Sequence, residues 1–195
     1  MPTGTAIRDV SQQLFDAAER VLLRGGPNAL TSRAVTTEAG CAKGVLHKHF
    51  ADFDAFLAAL VLDRIDRIRT QGENLQGAAG TGTVADNLTK ALTDLFGSVA
   101  VSIVSLITAR DELRTRLHAA GSSGVPVLTE ATAMLTSYLA AERELGRIAA
   151  TADVDTLALT LIGTSHLLFA GRQGDTPATQ DVHKIVTSVV ADAAR

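Results

Sequence analysis

Tryptophan is missing from this chain, tyrosine and cysteine occur once each, and only seven of its 195 residues are aromatic. A single thiol, Cys41, excludes an internal disulfide framework, the usual support of small secreted domains, and suits a reducing cytosol. No segment shows sustained strand alternation bounded by hairpin turns, so a β-sandwich or barrel has no footing. Long hydrophobic runs are missing too. No window approaches the roughly 18 uninterrupted apolar residues of a membrane span, and no basic flank leads into an apolar stretch at the N-terminus. The expectation is a soluble, cytoplasmic chain with no membrane association.

What is present suits a folded globular protein. Hydrophobic residues make up 46% and charged residues 20%, and 195 residues accommodate one compact domain, or a small one plus a larger one. The net charge of -3 at first disfavours a nucleic-acid partner, but it is unevenly spread. Residues 1–50 hold six Lys/Arg against four Asp/Glu, while residues 51–195 hold twelve against seventeen. The first quarter is the side suited to phosphates.

Apolar residues at Ile7, Val10, Leu14, Ala17/Ala18, Val21 and Leu22 trace one stripe of an amphipathic helix that stops at Gly25-Gly26-Pro27. Thr31 is a suitable N-cap for a short helix to Ala39, and Gly40 a left-handed C-cap. A second short helix is predicted over Ala42–His49. Asp52 caps a longer one, with Phe53, Phe56/Leu57, Leu60/Val61, Ile65 and Ile68 as its stripe. GENLQGAAGTGT (72–83) reads as a loop. Helices are predicted thereafter over Val84–Thr108, Glu112–Ala119, Val125–Leu145, Asp153–Ala170 and Ala178–Ala194. The fold class is all-α.

Two short helices joined by a tight glycine turn, the second of them basic, make the arrangement of a helix-turn-helix, whose second helix enters the DNA major groove. Leu46 serves as the inward anchor, leaving Lys43, His47, Lys48 and His49 to point outward. Gly44 and Val45 leave room for backbone approach and an apolar contact to a thymine methyl.

Residues 10–62 resemble the N-terminal domain of TetR-type bacterial transcriptional regulators. FDAAER (15–20), TSRAVTTEAG (31–40), CAKGVLHKHF (41–50) and DAFL (54–57) carry the likeness, over about a quarter of the chain. The resemblance implies a three-helix DNA-binding domain over 1–51 and a helical ligand-binding and dimerisation domain over 52–195. It implies a ligand-responsive regulator, commonly a repressor, that binds a palindromic double-stranded DNA operator as a homodimer and is released by a small-molecule effector. The DNA contacts it carries over are Ser32, Arg33, Lys43, Gly44, Val45, His47, Lys48 and His49, with Arg33 suited to reading guanine and Lys48 and His49 to phosphate. The chain departs from the usual pattern: the family often has Ser at Ala42, Thr at Val45 and Tyr at His47 and His49, and usually Ala at Thr36 and Lys at Phe53.

For the second domain, Ser98, Ser102 and Ser105 fall at i, i+4 and i+7 of the predicted 84–108 helix. They serve either close helix packing or a polar strip facing a ligand. Met134, Tyr138, His166 and Phe169 are further candidates to line a pocket. The helix stripes over 154–168 and 182–193 suit a four-helix dimer contact or an internal core.

Other classes find little support. GTGTVA (80–85) matches the dinucleotide fingerprint formally but has no strand before it. His47 and His49, two apart on a helix, point to different sides and do not share a metal ion with Cys41. No nucleophile, base and orienting group recur at recognisable spacing, so no enzyme, cofactor or metal is expected. The rival reading is a small-molecule or protein-binding module that keeps the regulator fold without useful DNA affinity.

Overall fold

A computed structural model of the protein describes residues 4–171, 176–191 and 193, without the side chains of 4–9. Among them lie α1 (Gly4–Ala29), α2 (Ser32–Glu38), α3 (Val45–His49), α4 (Phe53–Gly77), α5 (Val84–Phe96), α6 (Ala100–Ala109), α7 (Asp111–Ala119), α8 (Pro126–Glu144), α9 (Val154–Ala170) and α10 (Thr179–Val190). The chain is all-α, as its periodicity predicts. No single described helix is both long and apolar enough to cross a membrane. The side chain of Ile7 and residue Ala194 lie outside the described residues, and the helix expected to reach Ala194 ends at Val190.

Packing divides the chain into two units. One joins the residues up to Asp63 to Ser102–Val125, and the other joins Arg64–Val101 to the residues from Pro126 onward.

In the first unit, Leu14, Ala17, Ala18, Val21 and Leu22 turn one face of α1 into the core. Gly26, at φ 67° and ψ -173°, breaks α1 just before Pro27, where the glycine pair predicts a stop. The Thr31 hydroxyl accepts the Ala34 N–H at 3.1 Å and caps α2. At the other end Gly40 takes φ 66°, the Cys41 N–H reaches the Thr36 carbonyl at 3.0 Å and the Gly40 N–H reaches Thr37 at 3.1 Å. This pair of bonds is a Schellman closure, which requires the left-handed residue that glycine supplies. The Asp52 carboxylate accepts the Ala55 N–H at 2.7 Å and caps α4.

The second unit is built around Leu88, Leu92 and Leu95 of α5, Leu135 and Leu139 of α8, Ala158 and Leu161 of α9, and Val182 and Val186 of α10, all buried. Asp153 caps α9 by accepting the Thr156 N–H at 3.1 Å.

Three predicted boundaries are corrected. The expected loop over 72–83 is helical as far as Gly77. Gly72 is tolerated inside α4 because the Met134 side chain occupies the adjoining space: an added Cβ would lie 3.2 Å from its Cγ. The single helix expected over Val84–Thr108 is two, interrupted at Gly97, where a Cβ would come within 2.6 Å of the Thr93 carbonyl oxygen. The second short helix begins at Val45, three residues later than expected, with Gly44 as an N-cap that offers no side-chain hydrogen bond.

Candidate nucleic-acid interface and a polar cavity

The recognition segment is held from inside by apolar contacts and left bare outside. Leu46 is fully buried. Phe50, whose N–H bonds the Leu46 carbonyl at 2.9 Å, closes α3 and packs on Phe56 at 5.1 Å and Phe15 at 6.0 Å between ring centroids. Aromatic pairs at such distances add to the simple burial of area. Lys43, Gly44, His47 and Lys48 are exposed, Val45 and His49 half-buried. On α2, Arg33 is exposed and Ser32 half-buried, its buried Oγ without a hydrogen-bond partner among the described residues.

The neighbouring cations are treated differently. Arg20 donates to Glu38 at 2.7 Å, and Arg24 pairs with the other oxygen of the same carboxylate. Those two guanidinium groups hold Glu38 below the usual carboxylate range, Arg24 contributing more than Arg20. Glu38 is thereby engaged by α1, while Arg33, Lys43 and Lys48 have no acidic partner among the described residues. Exposed cations without counter-charges, on two helices joined by a Schellman turn, suit a polyanion.

Residues 14–60 match the sequence model of the bacterial regulatory proteins of the tetR family. The match spans about a quarter of the chain, from α1 into α4. Solved structures agree in fold along nearly the whole length. A TetR-family transcriptional regulator from Rhodococcus sp. superposes with a TM-score of 0.71 at 17% identity, covering 96% of this chain and 100% of its own. FadR from Bacillus subtilis, solved with stearoyl-CoA, gives 0.66 at 19% identity, with 92% and 97% covered. SmeT, the repressor of the Stenotrophomonas maltophilia multidrug efflux pump SmeDEF, gives 0.62 at 17% identity, with 95% and 90% covered. No curated protein matches the chain.

The structure accounts for three departures from the TetR pattern. Thr36, where alanine is usual, is buried, but its hydroxyl donates back to the Ser32 carbonyl at 3.0 Å and leaves no unmet polar group. Ala42, where a capping serine is common, leaves the start of the recognition helix uncapped, and α3 accordingly starts late. Phe53, where lysine is usual, lies under the Arg110 guanidinium at 5.6 Å, a cation–π contact. Arg110 also pairs with Asp54 at 3.1 Å, and Arg116 with Asp52 at 2.9 Å. Residues 52–54 are thus engaged one after another by α7 and the residue that caps it. No sequence signal marks these pairs, because 56 and 64 residues separate the partners.

Of the candidate ligand residues, His166 and Phe169 come together around one ring. Ser98 lies in the break after α5, its hydroxyl donating to the Leu95 carbonyl, while Ser102 and Ser105 sit on α6, so the expected single face of three serines is not formed. Met134 packs on Gly72. His166 and Phe169 surround Phe96, each with its ring 5.8 Å away. Burial lowers the His166 pKa, and its Nδ1 is buried without a partner.

Tyr138 is fully buried and belongs to a polar chain. Its hydroxyl donates to Glu142 at 2.6 Å and accepts from the Asn87 amide at 3.0 Å. Burial first, and the Glu142 bond second, push the Tyr138 phenol well above its ordinary value, so it stays protonated and donating. Glu142, with none of its side chain exposed, also accepts the Gly80 N–H at 3.3 Å and pairs with Arg147 at 3.4 Å. Arg147 in turn donates to the Gly82 carbonyl at 2.6 Å. The segment that formally matches a dinucleotide fingerprint therefore runs from a loop stapled by a buried carboxylate into the first turn of α5. In front of Asn87 lies a half-open cavity of about 230 Å³ lined by Gln71, Asn74, Leu75, Ala78, Asn87, Lys90, Ala91 and Asp94. Its α5 polar residues recur at i, i+3 and i+7, a spacing indistinguishable in sequence from a solvated face.

Proposed function

We propose that the protein is a ligand-responsive, non-catalytic transcriptional repressor that binds a palindromic operator as a homodimer in the cytoplasm and is released by a small-molecule effector. The observation that carries it is the exposed set of Arg33, Lys43 and Lys48, without counter-charges among the described residues, on a TetR-type helix-turn-helix. Residues 1–51 make the DNA contacts: Arg33 to a guanine edge, Lys48 and His49 to phosphate, and Ser32, Lys43, Gly44, Val45 and His47 completing the surface. Residues 52–195 take the effector and the second subunit. On α9, Leu159 is 64% and Leu167 73% exposed, unusual for large apolar side chains, with Gly163 between them on the same side. A two-fold partner covering this face would present two recognition helices about one DNA turn apart, roughly 34–36 Å. Effector binding within residues 84–170 shifts α4, the helix whose chain runs through both packed units, and the two recognition helices lose their common spacing.

The test is selection of bound fragments from random-sequence DNA, then affinity at two salt concentrations for the wild type and Arg33→Ala. A palindrome bound with a steep salt slope and weakened by Arg33→Ala supports the reading. No enrichment at low salt would point to a binding module that has the fold without useful DNA affinity. A monomer at micromolar concentration would defeat the dimer.

A further inference from the structure

We propose that the groove between the end of α1 and α2 is a further DNA-backbone site, in which Arg24 takes a phosphate of the duplex that α2 and α3 bind. That the anion is DNA rests on the regulator reading above; that Arg24, a residue of α1 outside the helix-turn-helix, meets it does not follow from that reading.

Three observations point to an anion there. The first is unspent hydrogen bonding. Arg20 reaches Glu38 through Nε alone and Arg24 through Nη2 alone, so each guanidinium keeps nitrogens with no partner among the described residues. An arginine carries five N–H donors, and a carboxylate that engages one nitrogen of each leaves the others for a second acceptor. The Thr31 hydroxyl accepts the Ala34 N–H and has its own hydrogen still to give. The second is charge. Arg24, Arg33 and Glu38 line the groove and Arg20 joins them through Glu38, so three guanidinium groups stand against one carboxylate, a net charge of +2. The side chains of Arg20 and Arg24 are 50% and 65% exposed and that of Glu38 19%, so the cluster turns its cationic part to solvent. DNA carries one negative charge per roughly 1.7 Å of its axis, and each cation that meets one releases condensed counterions. The third is continuity and room. Arg33 lines this groove and also belongs to the exposed cation set of α2 and α3, which makes the groove continuous with the surface proposed for DNA. Small residues keep it open: Ala29, Ala34 and Gly25, where an added Cβ would come within 2.5 Å of the Ala29 Cβ. The space of about 510 Å³ holds a phosphodiester and several waters at roughly 30 Å³ each.

The test is the salt dependence of DNA affinity for the full-length protein on two short duplexes of unrelated sequence, which requires no operator. Arg24→Ala is expected to lower the slope of log affinity against log salt by about one on both duplexes, and to weaken binding roughly five- to tenfold at about 0.1 M salt. Arg24→Lys, which keeps the charge, should hold the slope. The decisive arm is the Glu38→Gln background, where Arg24 has no carboxylate to hold. A phosphate contact predicts that Arg24→Ala still lowers the slope there by about one, whereas a residue that only fixes Glu38 loses its effect. A slope unchanged by Arg24→Ala, a loss confined to one sequence, an equal loss in Arg24→Lys, or a loss that disappears in Glu38→Gln would each overturn the site. Lys48→Ala separates the two readings. A slope that responds to Lys48 and not to Arg24 removes this site and leaves DNA binding standing, and a wild type that binds neither duplex removes both.

Discussion

Charge is handled in opposite ways at the recognition surface and at the 78–83 loop. Arg33, Lys43 and Lys48 stand in solvent without acidic partners among the described residues, whereas Glu142 is wholly buried and meets Tyr138, the Gly80 N–H and Arg147. A solvated cation costs the fold nothing and keeps its field for a partner. A buried carboxylate has lost its water and must be satisfied internally, so its loss falls on the fold itself. Losing a fully partnered buried charge is therefore a test of architecture, and losing an unpaired surface charge a test of the proposed binding.

The largest effect that tests this contrast is Glu142→Ala, expected to lower the unfolding free energy by about 3–5 kcal/mol because Arg147 and Tyr138 are left facing a void. Urea unfolding with an unchanged slope is the measurement. Lys48→Ala in the same experiment should stay within about 0.5 kcal/mol, and a comparable loss there would break the comparison. Next comes Leu46→Ala, which empties the anchor beneath the recognition helix and should cost about 2–5 kcal/mol by the same assay.

Arg33→Ala sharpens the functional side. Operator affinity should fall by about 1–3 kcal/mol with stability unchanged, while Lys48→Ala should lower the salt slope of binding by about one. Gly40→Ala places a Cβ in the left-handed region at φ 66° and should destabilise by about 1–2 kcal/mol in urea unfolding.

The smallest expected effect is a dependence on acid. Asp52 is held below its ordinary carboxylate value, first by the Ala55 N–H and then by Arg116. A lowered folded pKa means that its contribution is complete above the unfolded value of about 3.9 and is lost as pH falls through the folded one. Asp52→Asn should therefore flatten the stability profile below about pH 4 and leave it parallel to the wild type at neutrality.

Much of the α1–α4 segment is legible in the sequence because its determinants are local. The Thr31 cap, the Gly40 closure, the burial of Leu46 and the Asp52 cap each depend on residues within a few positions of one another, and one strand of sequence displays them all. The interruption at Gly97 was less legible: its apolar flanks read as one continuous helix, and the clash that enforces the glycine becomes visible only with the backbone in place. The candidate ligand residues fared differently again. Tyr138, a candidate to line a pocket, stands behind the cavity with its hydroxyl committed to Glu142.

By itself, then, the sequence determined an all-α chain, the turn and anchor of the recognition segment and the charge asymmetry, because periodicity, capping and composition act over single helical turns. Tertiary structure alone decided that α4 runs on through Gly72 under Met134, that α7 and Arg110 engage residues 52–54, and that Gly80 comes to lie on Glu142, 62 residues away. Those outcomes depend on which distant side chains share a desolvated space, and no local rule specifies that.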